Sequence, residues 1–165
     1  NKDVEIVEIA PNLQLQGLEA GRYDALSTVE PYNTIGINKG IARSLVENPR
    51  VKYVQNPFPT ASAVLSADFV RKHPNEAGAY IKAYSDAINF IRDHPEEAKL
   101  SLLKYTPVQE NMVKKVRLPK YYKPGEENME NIQKNAKWMA DNKLIEKNVV
   151  VKSMFIDPDF INEIQ

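Results

Sequence analysis

The clearest periodic signal in the chain is the recurrence of Ala77, Ile81, Tyr84, Ile88 and Ile91 at alternating spacings of four and three. Side chains three and four apart share one face of an α-helix, so this spacing predicts a long helix with a single apolar stripe. A second stripe runs through Met129, Ile132, Ala136 and Met139, with Lys134 and Lys137 turned away from it. The pentapeptide His73-Pro74-Asn75-Glu76-Ala77 returns as His94-Pro95-Glu96-Glu97-Ala98. In each copy the residue before proline is pushed out of the α region, proline takes the first turn, and glutamate meets the positive end of the helix dipole. The echo therefore marks two helix starts, not an array of repeats. Ser66 is placed to cap a further helix running from Asp68 onward.

The start of the chain carries a different pattern. Val4, Ile6, Val7 and Ile9 form a β-branched run, then Pro11 and the leucines Leu13, Leu15 and Leu18 lead to Gly21, and residues 23–29 follow. This reads as strand, helix, C-cap and second strand, with the two strands parallel and the crossover right-handed. Glu30-Pro31-Tyr32 closes the second strand, and residues 33–42 form one or two short helices in which Gly36 and Gly40 weaken continuity. Further strands are expected at residues 51–54 and, buried, at 61–65, on either side of the proline-rich crossing Asn56-Pro57-Phe58-Pro59. Residues 118–126, with Pro119, Pro124 and Gly125, read as a loop. Met154-Phe155-Ile156 reads as a last short strand before Asp157-Pro158 opens a final helix. The chain is thus β-rich at its start and helix-rich afterwards, with too few strands to close an α/β domain of its own, so an upstream segment is expected to complete it.

Composition narrows the function classes. With 42% hydrophobic and 27% charged residues, 165 residues suffice for one sizeable core or two small lobes. Twenty-two Lys plus Arg balance 22 Asp plus Glu, and the signs are interspersed, so no field gathers nucleic acid or an anionic membrane. The absence of cysteine removes disulfides, thiolate metal sites and cysteine nucleophiles. The apolar runs fall far short of the roughly 20 residues that span a bilayer.

Most catalytic constellations are missing. No G-x-S-x-G elbow occurs, and both histidines are accounted for as helix punctuation. His73 and His94 lack the i, i+4 spacing of a helical zinc site, and none of the six glycines forms a phosphate-cradling motif. Trp138 beside Lys134 and Lys137 is better read as a partly packed indole than as a nucleic-acid patch. What remains is Glu30-Pro31-Tyr32, a carboxylate, a rigid turn and an aromatic ring at the carboxyl end of a strand, where open parallel sheets bind ligands. The same residues also read as a helix N-terminal acid, the first residue of that helix and a core aromatic, with no ligand needed. Local chemistry leaves both readings open.

Taken in order, Leu18-Glu19-Ala20-Gly21-Arg22-Tyr23-Asp24-Ala25, Glu30-Pro31-Tyr32, the run from Ser66-Ala67-Asp68-Phe69-Val70 to Pro74, and Asp93-His94-Pro95-Glu96-Glu97-Ala98 form a series. It resembles the nitrate, sulfonate and taurine type of periplasmic binding protein, a family that also includes thiamine-precursor binders, and the resemblance covers nearly the whole chain. The family implies an α/β, type II periplasmic-binding-protein-like fold, here incomplete. Residues 1–52 would be the C-terminal part of the second α/β lobe, 53–61 the hinge crossing, and 62–165 the helix-rich C-terminal part of the first lobe. It further implies an extracytoplasmic protein, periplasmic or held at the cell surface as a lipoprotein. Such a protein binds a small organic or inorganic anion-like solute between two lobes and presents it to an ABC permease, without catalysis or cofactor. In this frame Glu30 accepts hydrogen bonds, Pro31 and Tyr32 wall the cleft, and Thr28, Thr60 and Ser62 offer hydroxyls. Where many relatives carry an aromatic ahead of Glu-Pro, this chain has Thr28-Val29, which points to a more aliphatic or polar ligand. A sensor or interaction domain of the same fold is the rival reading. A thiamine-pyrimidine synthase is disfavoured because its cysteine-rich motif is absent. Without the N-terminal half, sheet edges would lie uncovered, and self-association or docking of a companion fragment is expected.

Overall fold

The computed structural model describes residues 3–156 and Phe160. Among these residues the helices run in the order α1 (Pro11–Glu19), α2 (Tyr32–Asn38), α3 (Pro49–Tyr53), α4 (Ala67–Lys72), α5 (Pro74–Asp93), α6 (Pro95–Leu100), α7 (Leu102–Tyr105), α8 (Glu110–Val113) and α9 (Met129–Asp141), followed by a 3₁₀ turn (Val151–Met154). Where proline or a side-chain cap defines the first turn, helices begin as the sequence predicts. Pro11, Pro74 and Pro95 each occupy a first helical position. The Ser66 hydroxyl accepts from the Phe69 N–H at 3.1 Å, and the Asn128 side chain accepts from the Asn131 N–H at 2.9 Å. α1 ends at Gly21, whose φ of 67° is costly for any residue with a Cβ, and the Arg22 N–H closes the turn onto the Gly17 carbonyl at 2.9 Å. Gly36 does not interrupt α2.

The long stripe behaves as predicted. In α5, Ala77, Ile81 and Ile88 are buried while Lys82 and Asp86 pair on the opposite face. In α9, Ala136 is buried and the exposed Lys134 and Lys137 pair one turn away with Glu130 and Asp141. The segment 114–128 that leads into α9 holds no helix, in keeping with the predicted loop at 118–126.

The chain divides into two compact units. The first takes the described residues up to Glu47 together with His94–Pro119. Its core is Ile35, Val108, Met112, Val113 and Val116, flanked by Leu15 and Leu102, so α2 and α8 share one apolar cluster with α1 and α7 at its edge. The second takes Asn48–Asp93 and the described residues from Lys120 onward. There α4 packs on α5, and α9 packs on the 3₁₀ turn. The Gln133 amide donates to the Val149 carbonyl at 2.7 Å and accepts from the Val151 N–H at 3.0 Å. Gln55 donates to the Asn131 carbonyl at 2.8 Å, and Asn131 donates back to the Asn56 carbonyl at 3.2 Å, which fixes the proline-rich crossing to α9. The Glu30-Pro31 and Asn56-Pro57 bonds are both cis.

The strands are where sequence and structure part. No β-ladder forms among the described residues. Residues 4–9 and 23–29 are neither helical nor paired, and Ile6 is 85% exposed. The segment 61–65, expected to be buried, is likewise unpaired, with Val64 81% exposed. Residues 51–54 are largely helical instead: Asn48 sits at φ 47°, ψ 55°, Pro49 opens α3, and the Lys52 N–H donates to the Asn48 carbonyl at 3.0 Å. A β-branched run fits a pleated surface only when another strand supplies it, and here a local helix start wins. Met154 closes the 3₁₀ turn, and Phe155 and Ile156 are irregular. Asp157 and Pro158 lie outside the described residues.

Candidate functional site

The turn that leads into α2 places four of the six predicted site residues together in the first unit. Glu30 is directed back onto its own helix. One carboxylate oxygen accepts from the Thr34 N–H at 3.2 Å, and the other accepts from the Asn33 amide at 3.3 Å. Glu30 thus satisfies a first-turn donor that has no partner inside the helix. Two acceptor bonds leave lone pairs free on both oxygens, because a carboxylate offers about four acceptor positions. Pro31 is half-buried and occupies the N-cap position of α2.

Tyr32 is also half-buried, and its ring lines an open recess of about 210 Å³. Leu15, Ile35, Pro107 and Met112 complete the apolar surface, so the floor of the recess is the outer side of the unit's own core. Asn12 and Gln16 from α1, Lys39 at the C-cap of α2, and Gln109 supply the polar rim.

Thr28 presents a different feature. Its hydroxyl is buried and has no hydrogen-bond partner among the described residues, as is true of the Gln14 side-chain carbonyl, whose amide donates to the Ile9 carbonyl at 3.3 Å. Buried polar atoms are almost always paired, with protein or with ordered water, and this hydroxyl lies two residues ahead of Glu30. Thr60 and Ser62 lie in the second unit, where both are exposed.

The titratable groups most displaced from their ordinary values lie elsewhere, in the second unit. Arg92, in the last turn of α5, donates to both Glu126 oxygens at 3.0 and 2.5 Å and to the Tyr121 carbonyl at 2.7 Å. The hydrogen bond from Arg92, with another from the Lys123 N–H at 2.9 Å, holds the Glu126 carboxyl down to about 2. The same bond raises the Arg92 guanidinium, while burial raises the Tyr121 phenol. This cluster ties the 118–126 loop to α5 and is structural. His73 is exposed, 3.8 Å from Glu76 and stacked at a tilt on Phe69. Among the described residues no group of three His, Asp or Glu is gathered to hold a metal ion.

Sequence reasoning missed Gln14, Lys39, Gln109 and Met112. Residues 12–16 and 32–39 meet 107–112 only through the fold, and no spacing signal links them. Of the predicted site residues, Tyr32 alone lines the recess, while Thr28, Glu30 and Pro31 precede it in the chain.

A sequence model of the NMT1-like family matches residues 1–103, well over half of the chain. The chain belongs to the NMT1-like family. The NMT1-like match spans all six predicted site residues and every helix from α1 to α6. NMT1-like proteins are mostly binding proteins of the ABC-transporter type, not enzymes, and are typically extracytoplasmic. No curated protein and no solved structure matches the chain.

Proposed function

We propose that the chain is part of an extracytoplasmic substrate-binding protein that captures a small anion-like solute in a cleft between two lobes and delivers it to an ABC permease. The observation that carries this reading is the NMT1-like match, whose bounds include Thr28, Glu30, Pro31, Tyr32, Thr60 and Ser62. The buried Thr28 hydroxyl supports it, since a bound solute would supply a partner that the described residues do not. In this reading Glu30 keeps its bonds to α2 and offers its free lone pairs to a donor on the solute, while Tyr32 forms the wall. Affinity arises from closing lobes around a desolvated ligand, with a few placed polar groups setting specificity. No covalent step is involved. The unpaired segments 4–9, 23–29 and 61–65 belong, in the same reading, to the sheets of type II lobes.

The test is thermal unfolding against nitrate, taurine, short alkyl sulfonates, bicarbonate and a hydroxymethylpyrimidine. At a hundred times Kd, ligand linkage adds about 2.7 kcal/mol, which corresponds to roughly 5–11 °C for a chain of this size. A solute that raises the midpoint in this way, and does so less in Thr28→Val, supports the proposal. No shift with any member of the panel refutes it for these solutes and favours a sensor or interaction role.

A further inference from the structure

The first unit carries a feature suited to a ligand, the recess under Tyr32, which shares that one residue with the solute site proposed above. Among the described residues, every one that lines it belongs to that unit, so occupancy requires no closure of lobes. The floor is built in advance: Ile35 and Met112 are buried core residues, and Leu15 packs against the same cluster. Tyr32, Met112 and Pro107 all present surfaces that favour a flat ring. A tyrosine offers offset stacking or an edge, and a thioether makes favourable contacts at a ring edge. The volume of about 210 Å³, set against some 30 Å³ per liquid water, corresponds to about seven waters, enough for one small ring with a substituent.

The rim selects charge. Among the described residues, Lys39 is the sole ionisable group other than Tyr32 that lines the recess, and no carboxylate lines it. Among the described residues the side chains of Asn12, Gln16, Lys39 and Gln109 make no internal hydrogen bond or ion pair, unlike Lys115, which donates to Asn38 at 2.7 Å, and Arg117, which pairs with Glu47 at 3.2 Å. A lysine at a helix C-terminus already favours the dipole without a ligand. What distinguishes this one is its place beside an apolar, ring-sized floor and three carboxamides free to donate. We propose that the recess binds a small aromatic monoanion, with the ring on Tyr32 and Met112, the anionic group on the Lys39 ammonium, and the rim amides completing its hydrogen bonds.

Benzoate and its uncharged isostere benzamide separate the contributions of ring and charge. In ¹⁵N–¹H spectra of the full chain, benzoate should give saturable shifts confined to residues 12–16, 32–39 and 107–112, and benzamide should bind roughly tenfold more weakly or worse, as loss of a charge-assisted hydrogen bond implies. Lys39→Met, a change at an exposed position, should reduce benzoate to the benzamide level, and Lys39→Arg should retain it. Equal binding of the two probes, an unaffected Lys39→Met, or the absence of a saturable shift at these residues overturns the proposal. Shifts centred on Thr28 and Glu30 also overturn it, and they would do so while leaving the importer reading intact.

Discussion

Glu30 is the residue at which a structural and a binding role can be told apart, and the two bonds it accepts set the scale. Replacement by alanine removes the acceptor for the Thr34 N–H and for the Asn33 amide, and it removes a negative charge from the start of α2. A lost helix-cap acceptor costs typically about 1 kcal/mol, and the charge at a helix N-terminus contributes a further 0.3–1. The sum is about 1–2 kcal/mol. At about 2–4 °C per kcal/mol for a chain of this length, Glu30→Ala should lower the midpoint by about 2–8 °C. Glu30→Gln keeps an acceptor oxygen and loses only the charge, so about 0.3–1 kcal/mol is expected. Thermal unfolding monitored by circular dichroism measures both, without any solute present. If Glu30→Ala is as stable as the parent, or if Gln and Ala cost the same, the bonds to α2 do not carry the role assigned to them.

Four further outcomes follow from the geometry. Thr28→Val removes a buried hydroxyl that has no partner, so stability should be unchanged or slightly raised in a thermal melt while solute affinity falls; a clear loss of stability would mean that the hydroxyl is satisfied in solution. Ile88→Ala, at a side chain only 2% exposed, should cost about 2–5 kcal/mol by urea unfolding, whereas Lys82→Ala on the outer face of α5 should stay within about 0.5. Glu126 has a carboxyl depressed in the folded state from 4.5 to about 2, so its stabilising contribution is present above pH 4.5 and is lost as the pH falls toward 2; the gap in midpoint between the parent and Glu126→Gln should close over that window, and a gap constant with pH would contradict the assignment. Gly17→Ala would place a Cβ 2.1 Å from a Tyr23 ring carbon, and overpacking of about 1–3 kcal/mol should exceed the gain of about 1 in helix propensity; combining it with Tyr23→Ala should relieve most of the loss, and additive effects would show that the two do not meet.

How far the sequence could be read depends on whether each feature is local. Helix starts at Pro74 and Pro95, the Ser66 cap, the Gly21 stop and the stripe from Ala77 to Ile88 are all determined within one or two turns, and all are present. Strands require a partner, which neighbouring residues cannot supply. The same β-branched character therefore ended as unpaired chain at Ile6 and Val64 and as a short helix at Val51. The core of the first unit was hidden for a related reason. Val108, Met112, Val113 and Val116 keep a helical spacing of four, one and three, but only the four residues Glu110–Val113 are α-helical, so the period covers too short a segment to announce a core. Glu30-Pro31-Tyr32 was legible as a candidate because its residue types are unusual together, but whether Glu30 faced its helix was a matter of side-chain direction. The recess and the Arg92–Glu126 tie join residues far apart in the chain, which periodicity does not register.

The central claim, reversible capture of a small anion-like solute by an NMT1-like protein, is tested most directly by calorimetric titration of the chain with whichever member of the nitrate, sulfonate, bicarbonate and pyrimidine panel shifts its melting most. The account predicts saturable one-to-one binding that Thr28→Val weakens, with the solute recovered unchanged afterwards. Heats no larger than dilution for the whole panel would contradict it, and so would turnover of the solute.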